Sequence, residues 1–375
     1  MMDSNSLFFQ LVQMAVGQRG GLTHAPSDGE WTALLDMAKK HRMVGALYDA
    51  AETVVKQFGM KPVPRQLIVW YGTCEKIQER NEQNLEVCDR VVSFFREHGM
   101  DGVLLKGLGL ALLYDNPKCR LCGDIDYWVY RCVDNDTHQV SSTINDIIRN
   151  VLRLANQISH CDHHVCYHHC DFGRMNNIDV EVHWRPSWMY NPITNYRFQR
   201  WAREQLPTFQ ESMELGVVLP SQGFNRVFIL LHIYRHLFFE GIGLRQVMDY
   251  YYVLRQKCDG QERVEALATI RRLHMGAFTR ALMWVLREVF GAPDEMLLCE
   301  PNEKDGCFLL NEIMVSGDFG KSDVRLLRRR NETFVHYAAR KIVRNFWLFR
   351  FGPMEVICTP IWRLWHYWWM VYHKL

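Results

Sequence analysis

The apolar pattern of the chain changes period twice. Over residues 5–98 apolar side chains recur at three- and four-residue spacing, as in WTALLDMAKKHRMVGALYDAAETV and RQLIVWYGTCEKIQERNEQNLEVCDRVVSFFREHG. That spacing predicts amphipathic helices. The second stretch follows KPVP and ends near Gly99, a start and a stop that suit one long helix. From residue 100 the period shortens. DGVLLKG reads as a short apolar strand, LGLALLYDN as a helix stopped by Pro117, and GDIDYWVY as a second strand. A helix follows near 138–156. Then HHVCYHHC and IDVEVHW flank DFGRMNN, which reads as a hairpin with a Gly/Asn-rich turn. Helical spacing returns at Ser221 and runs through SQGFNRVFILLHIYRHLFFEG, RQVMDYYYVLRQK, 261–290 and a last segment, 324–375. Helices, then strands, then helices predict an α+β protein with a small mixed sheet between helical regions. The expected divisions are a helical region 1–99, a sheet core 100–206, a helical domain 207–320 and a C-terminal segment 321–375.

Composition narrows the class. Apolar residues make up 48% and charged residues 23%, so the chain has the means to build a core and is not a disordered one. Its 375 residues suffice for two or three packed units. No uncharged apolar run reaches about 18 residues, so no spanning helix is expected. The N-terminus MMDSNSLFFQLVQMAVGQRG lacks a basic leader region and a cleavage site. The twelve cysteines form no framework and read as free thiols in a reducing cytoplasm. Charge is uneven: residues 321–375 hold eleven Lys/Arg against three Asp/Glu, a net +8, and the rest of the chain is about −6. A basic end on an acidic body suits an anionic partner.

The chemistry concentrates in LLKGLGLALLYDNPKCRLCGDIDYWVY. Asp124 and Asp126 are two residues apart, so on a strand they face the same way, with Cα atoms roughly 6.5–7 Å apart. Two such carboxylates repel unless a cation lies between them, and hard cations such as Mg²⁺ take oxygen ligands. A site for two metals about 3.5–4 Å apart needs a further carboxylate. IDVEVHW offers Asp179 and Glu181, again on one face. The plain alternative is a pair of solvated aspartates on an edge strand. Upstream, the strand–Lys106–Gly107–helix turn offers backbone N–H groups to phosphates. Lys106 adds a point charge there, and Gly107 allows close approach. Arg120 leads into the same strand as the aspartates.

The set LLKG, RLCGDIDYWV and VEVHW resembles a bacterial, largely uncharacterised nucleotidyltransferase family of the DNA polymerase β-like superfamily. WTALLDMAKKHRMVGALY is similar to that family's N-terminal helix, and LLHIYRHLFFEGIGLRQVMDYYYVL to its helical segment after the sheet. The resemblance spans about residues 5–290. It implies a polymerase β-like sheet core flanked by helical regions. It also implies that Asp124 and Asp126 bind divalent metals, Mg²⁺ or Mn²⁺, and that Glu181 is the third carboxylate, helping to activate the attacking hydroxyl. Lys106, Gly107 and Arg120 would hold the phosphates of an NTP such as ATP. Where the superfamily has Gly-Ser at the phosphate turn this chain has Lys106-Gly107. The implied reaction moves an NMP to an acceptor hydroxyl and releases pyrophosphate. The acceptor stays open among a protein, a glycan precursor, a metabolite and an RNA end. The rival reading is an adaptor that keeps the fold without turnover, working at the membrane surface in an envelope-glycan pathway.

Other features carry weaker signals. His183 is expected to orient Glu181 or to contact substrate. His232 and His236 share a helix face and are expected to line the nucleotide cleft or to pack there. In HCDHHVCYHHC, His164, Cys166 and His168 would share one strand face, but successive residues on one strand converge poorly on zinc, so a polar face beside the cleft is preferred. Cys119 and Cys122 form a C-x-x-C with no second pair at finger spacing. Arg245 and Asp249 have ion-pair spacing. RLLRRRN at 325–331 reads as an exposed basic helix face before it reads as an RNA contact. In PIWRLWHYWWMVYHKL, Trp362, Trp365 and Trp369 fall on one helical face. Packing on the helical body is favoured for it over peripheral contact with the inner membrane face.

Overall fold

A computed structural model describes residues 2–133, 140–158, 164–323, 325 and 332–372. The helices are α1 (Met2–Ala15), α2 (Asp28–Lys40), α3 (Tyr48–Gln57), α4 (Arg65–Glu97), α5 (Gly107–Ala111), α6 (Ile144–Ile158), α7 (Pro192–Glu204), α8 (Gln222–Phe239), α9 (Leu244–Arg255), α10 (Gly260–Arg272), α11 (Gly276–Phe290), α12 (Glu303–Ser316), α13 (Phe334–Trp347) and α14 (Pro353–Tyr372). The strands are β1 (Met100–Leu105), β2 (Ile125–Val133), β3 (Val140–Ser141), β4 (His169–Met175), β5 (Ile178–His183), β6 (Gln210–Glu211) and β7 (Val218–Leu219). The chain divides into a helical unit, Met1–Glu79 with Leu113–Leu121 and Arg226–Val356, and a sheet unit, Arg80–Leu112 with Cys122–Asn225 and Ile357–Leu375.

In the helical unit α11 packs against α1, α9 and α12. Phe278, Leu282, Val285, Leu286 and Val289 form its buried stripe, the spacing an apolar helix face needs. Two stretches that read as continuous helices are each broken. α2 and α3 are separate, and so are α10 and α11. The breaks fall at Arg42 (φ 53°) and His274 (φ 58°), both in the left-handed region. At each, the next amide reaches back: Met43 N–H to Ala38 O, and Met275 N–H to Ile270 O. Those bonds close the helix ends as a Schellman motif does, with a basic residue where glycine is usual.

His41, which ends α2, is fully buried and its Nδ1 accepts from the Leu244 N–H. Burial, helped by Lys40, lowers its pKa to about 3, so it is neutral in the fold. Because only the unfolded chain takes up that proton, stability is lost as pH falls below the ordinary value of about 6.5. At pH 5.5 this group alone costs about 1.4 kcal/mol. Urea unfolding at pH 7.5 and 5.5 should show His41→Gln losing correspondingly less than the wild type over that interval. An equal loss in both would remove the assignment.

The sheet runs β1-β2-β5-β4, with β3 paired to β2. β1–β2 and β4–β5 are antiparallel and β2–β5 is parallel. This is the small mixed sheet that the sequence predicts. One face is apolar: Ile125, Tyr127, Val129, Ile178, Val180 and Val182 pack with Val87, Val91 and Phe95 of α4 and Ile147 and Val151 of α6. The hairpin differs in detail from the expectation. β4 starts only at His169 and takes in DFGRM, with a register shift around Gly173. The turn is Asn176-Asn177, whose φ values of 50° and 61° are those a two-residue type I′ turn requires.

Candidate active site

The polar face of the sheet follows from strand alternation. Where Ile125 and Tyr127 point into the core, Asp126 and Trp128 point away, as do Glu181 and His183 between Val180, Val182 and Trp184. The parallel register places Asp126 opposite Glu181 and Trp128 opposite His183. Asp124 precedes β2 and joins the same face. Asp124, Asp126 and Glu181 each present an oxygen, all within 4.8 Å of one another. His183 Nε2 lies 3.0 Å from Asp126 Oδ1 and 3.3 Å from Glu181 Oε2. His169, opposite His183 on β4, sits with Nδ1 3.6 Å from Glu181 and Nε2 3.2 Å from Asp171.

β1 delivers a cation to the same place. Leu105 pairs with Asp126, and the chain then turns through Lys106 (φ 52°) and Gly107 (φ 42°). A positive φ is ordinary for glycine but costs about 1–3 kcal/mol at a lysine. The turn brings Lys106 Nζ to 2.9 Å from Asp126 Oδ1, where the aspartate is 1% exposed.

The charges sort by environment. Asp124 is pushed up to about 6 by the Asp126 charge and by burial, which Lys106 only partly offsets. Asp126 is buried too, yet Lys106 and His183 hold it below the usual carboxylate range. Glu181 resists burial in the same way, with His183 and His169 keeping it low. Burial works against the charge on His169, but Asp171 and Cys166 raise it to about 10. Asp124 is therefore the carboxylate whose charge the protein balances least. Three carboxylate oxygens around a like-charge conflict fit a hard divalent cation, Mg²⁺ or Mn²⁺.

The sequence model of the family described as uncharacterised nucleotidyltransferase matches residues 27–291. The chain belongs to that family. The match contains the carboxylate cluster, Lys106 and His183, and stops before α12. No curated protein and no solved structure matches the chain.

In this nucleotidyltransferase family member the other expected residues are placed as follows. Asp179 lies toward the hairpin end of β5, exposed, and pairs with Arg174 at 2.5 Å. Arg120 belongs to the helical unit. It is 3% exposed and donates through Nε (2.7 Å) and Nη2 (2.8 Å) to Asp249, which also accepts from Tyr114. His232 and His236 belong to the helical unit as well. Their rings are 4.3 Å apart, and His236 Nδ1 meets Glu240 at 2.5 Å.

The expected strand through His164, Cys166 and His168 is instead a fold-back, in which Cys166 N–H donates to His169 O. Cys166, His168 and His169 are brought together there, and His164 is exposed; His160, Cys161, Asp162 and His163 lie outside the described residues. Cys119 meets Cys74, with Sγ atoms 3.2 Å apart, while Cys122 enters the sheet core. Of RLLRRRN only Arg325 is described; it pairs with Glu312 and Asp323. The tail helix α14 packs on the sheet unit and not, as expected, on the helical body: Trp362, Trp365 and Trp369 surround Tyr167 at 6.3, 5.5 and 6.3 Å. No helix among the described residues is long and apolar enough to cross a membrane.

His169 is the site neighbour that sequence reasoning did not single out. Its place depends on the β4–β5 register, and the bulge around Gly173 hides that register from any count along the chain.

Proposed function

We propose that this protein transfers an NMP from an NTP to an acceptor hydroxyl. The observation that carries the reading is the Asp126–Glu181 register pair with Asp124 beside it, three carboxylates on one sheet face with Lys106 among them. Asp124, Asp126 and Glu181 would hold the divalent metal, which when bound lowers the pKa of the hydroxyl and stabilises charge on the phosphate oxygens. The hydroxyl oxygen forms a bond to the α-phosphorus. The bond from that phosphorus to the β-phosphate's bridging oxygen breaks, and pyrophosphate leaves with the electron pair. Glu181 helps activate the hydroxyl, whose proton is lost to bulk water. Lys106 holds Asp126 when no nucleotide is present and moves to the phosphate oxygens when one is. Gly107 leaves the backbone of the turn open to them. His183 fixes the orientation of Asp126 and Glu181. Arg120 ties its own segment to Asp249.

The test is incubation with each NTP labelled at the α-phosphate, Mg²⁺ and a cell extract as acceptor source. Label should pass to an extract component with one pyrophosphate released per transfer. Metal-dependent nucleotide binding without transfer from any NTP would favour the adaptor reading.

A second reading adds peripheral contact with an anionic membrane. It is supported by the outer face of α14, where Ile361, Leu364 and Trp368 are all more than 60% exposed, and by the basic C-terminal segment. Anionic liposomes should sediment the full chain, and Leu364→Glu/Trp368→Glu should abolish this. No sedimentation of the wild type removes the reading.

A further inference from the structure

Besides the carboxylate face, the sheet unit holds a concave site. A cavity of about 620 Å³ is lined by the segment after β5, by α7 and by α14, and that volume suits a small molecule. Its walls are aromatic, with Tyr167, Tyr196, Trp362 and Trp365. Two arginines also line it, Arg185 and Arg203, together with the amides of Asn195 and Gln199. Arg185 stacks on Tyr167, with Cζ 4.1 Å from the ring centroid, and its Nη1 donates to Tyr167 O at 2.7 Å. Among the described residues no carboxylate pairs with either arginine. Burial, and then the like charge of Arg203, act against the Arg185 cation; the Tyr167 ring eases this only in part. A half-buried cation, Arg185, and an exposed one, Arg203, without an acid make a site that an anion would complete.

The remaining groups restrict the anion. Tyr and Trp faces stack on rings. Asn195 keeps one amide N–H and Gln199 its amide oxygen for ring hydroxyls, their other groups being bonded to Tyr167, Met189, Ser187 and each other, and arginine forks match phosphate. The cavity is also joined to the carboxylates. Trp362 stacks on Trp188 at 5.6 Å, Trp188 meets His168 at 4.1 Å, and His168 meets His183 at 5.3 Å. His183 is the residue that bonds Asp126 and Glu181. A row of touching rings therefore runs from the cavity wall to the candidate metal ligands.

We propose that this cavity binds the acceptor and that the acceptor is a phosphorylated, hydroxyl-bearing ring. A sugar monophosphate and a nucleoside monophosphate share that chemistry. The word acceptor rests on the nucleotidyl-transfer reading; the binding site itself does not.

The experiment is calorimetric titration of the full chain, without NTP or divalent metal. One arm uses hexose 1- and 6-phosphates and the other the four nucleoside 5′-monophosphates, with free hexose and inorganic phosphate as controls. One arm should bind with Kd below about 1 mM and so name the source, while the controls bind more weakly. Arg203→Glu and Tyr196→Ala change exposed side chains and should leave the fold intact. Each should weaken binding at least roughly tenfold, and Asp124→Asn should leave it unchanged. Binding by neither arm, or binding that both cavity variants retain, overturns the proposal. Loss in Asp124→Asn with retention in Arg203→Glu also overturns it, by placing the ligand at the carboxylates. Failure of the nucleotidyl-transfer reading shows separately, as absent Mg²⁺-dependent NTP binding.

Discussion

Asp124→Asn should abolish nucleotidyl transfer and at the same time stabilise the metal-free protein. The two effects share one cause. Asp124 faces Asp126 on the same side of the sheet, and Lys106 beside them is bound to Asp126. A carboxyl pushed up to about 6 is ionised at pH 7 only at a cost, here about 1–3 kcal/mol. The amide keeps the shape and removes the repulsion, so unfolding by urea should need more denaturant. The same change removes a metal ligand. Transfer should fall at least roughly 10³-fold, equivalent to about 4 kcal/mol of transition-state stabilisation. A merely structural aspartate would show the reverse pattern, with stability lost and turnover kept per folded molecule. That pattern would refute the assignment.

Asp249→Ala should have the largest effect on stability, about 3–5 kcal/mol. The carboxylate takes three hydrogen bonds, two from Arg120 and one from Tyr114, at 2.7–2.8 Å. Removing it takes two hydrogen bonds and the facing charge from a guanidinium that is 3% exposed. Arg245, whose Nη1 is 4.0 Å from Asp249, is a second cation and cannot replace the lost acceptor. Replacing both partners by apolar side chains, as in Arg120→Met/Asp249→Leu, leaves no buried charge and should recover much of the loss. Urea unfolding of the single and double variants measures this, and a cost below about 1 kcal/mol for Asp249→Ala would contradict it. The double variant also decides what Arg120 does. Retained nucleotide binding makes Arg120 a positioning residue, whereas a folded double variant that has lost nucleotide binding makes it a phosphate ligand.

The carboxylate face was legible because strand periodicity is a local property. In IDYWV and IDVEVHW acids alternate with core residues, and alternation alone assigns them to the opposite face. The helix–sheet–helix order was legible for the same reason. What escaped depends on contacts far apart in sequence or on unusual backbone. Arg120 stands near Asp124 in the chain, and its bond to Asp249, 129 residues away, leaves no mark in the local sequence. Lys106 reaches Asp126 through a positive-φ turn that the residue type does not advertise. The helix ends at Arg42 and His274 use a left-handed residue without glycine, so the usual stop signal is missing. In DFGRMNN the glycine drew the turn toward itself, but Gly173 serves a bulge and the two asparagines make the turn. The tryptophan stripe of α14 was legible as a helical face, whereas Tyr167, the ring it encloses, was not.

The central claim is that Asp124, Asp126 and Glu181 hold a divalent metal for a nucleoside triphosphate. The most direct test is the thermal stability of the full chain with ATP, GTP, CTP or UTP, each with and without Mg²⁺, beside the Asp124→Asn variant. A ligand that binds the native state raises its stability by mass action. The account predicts a rise with at least one nucleotide that requires Mg²⁺ and disappears in the variant. The same Mg²⁺-dependent rise in wild type and variant, or no rise with any nucleotide, would contradict it.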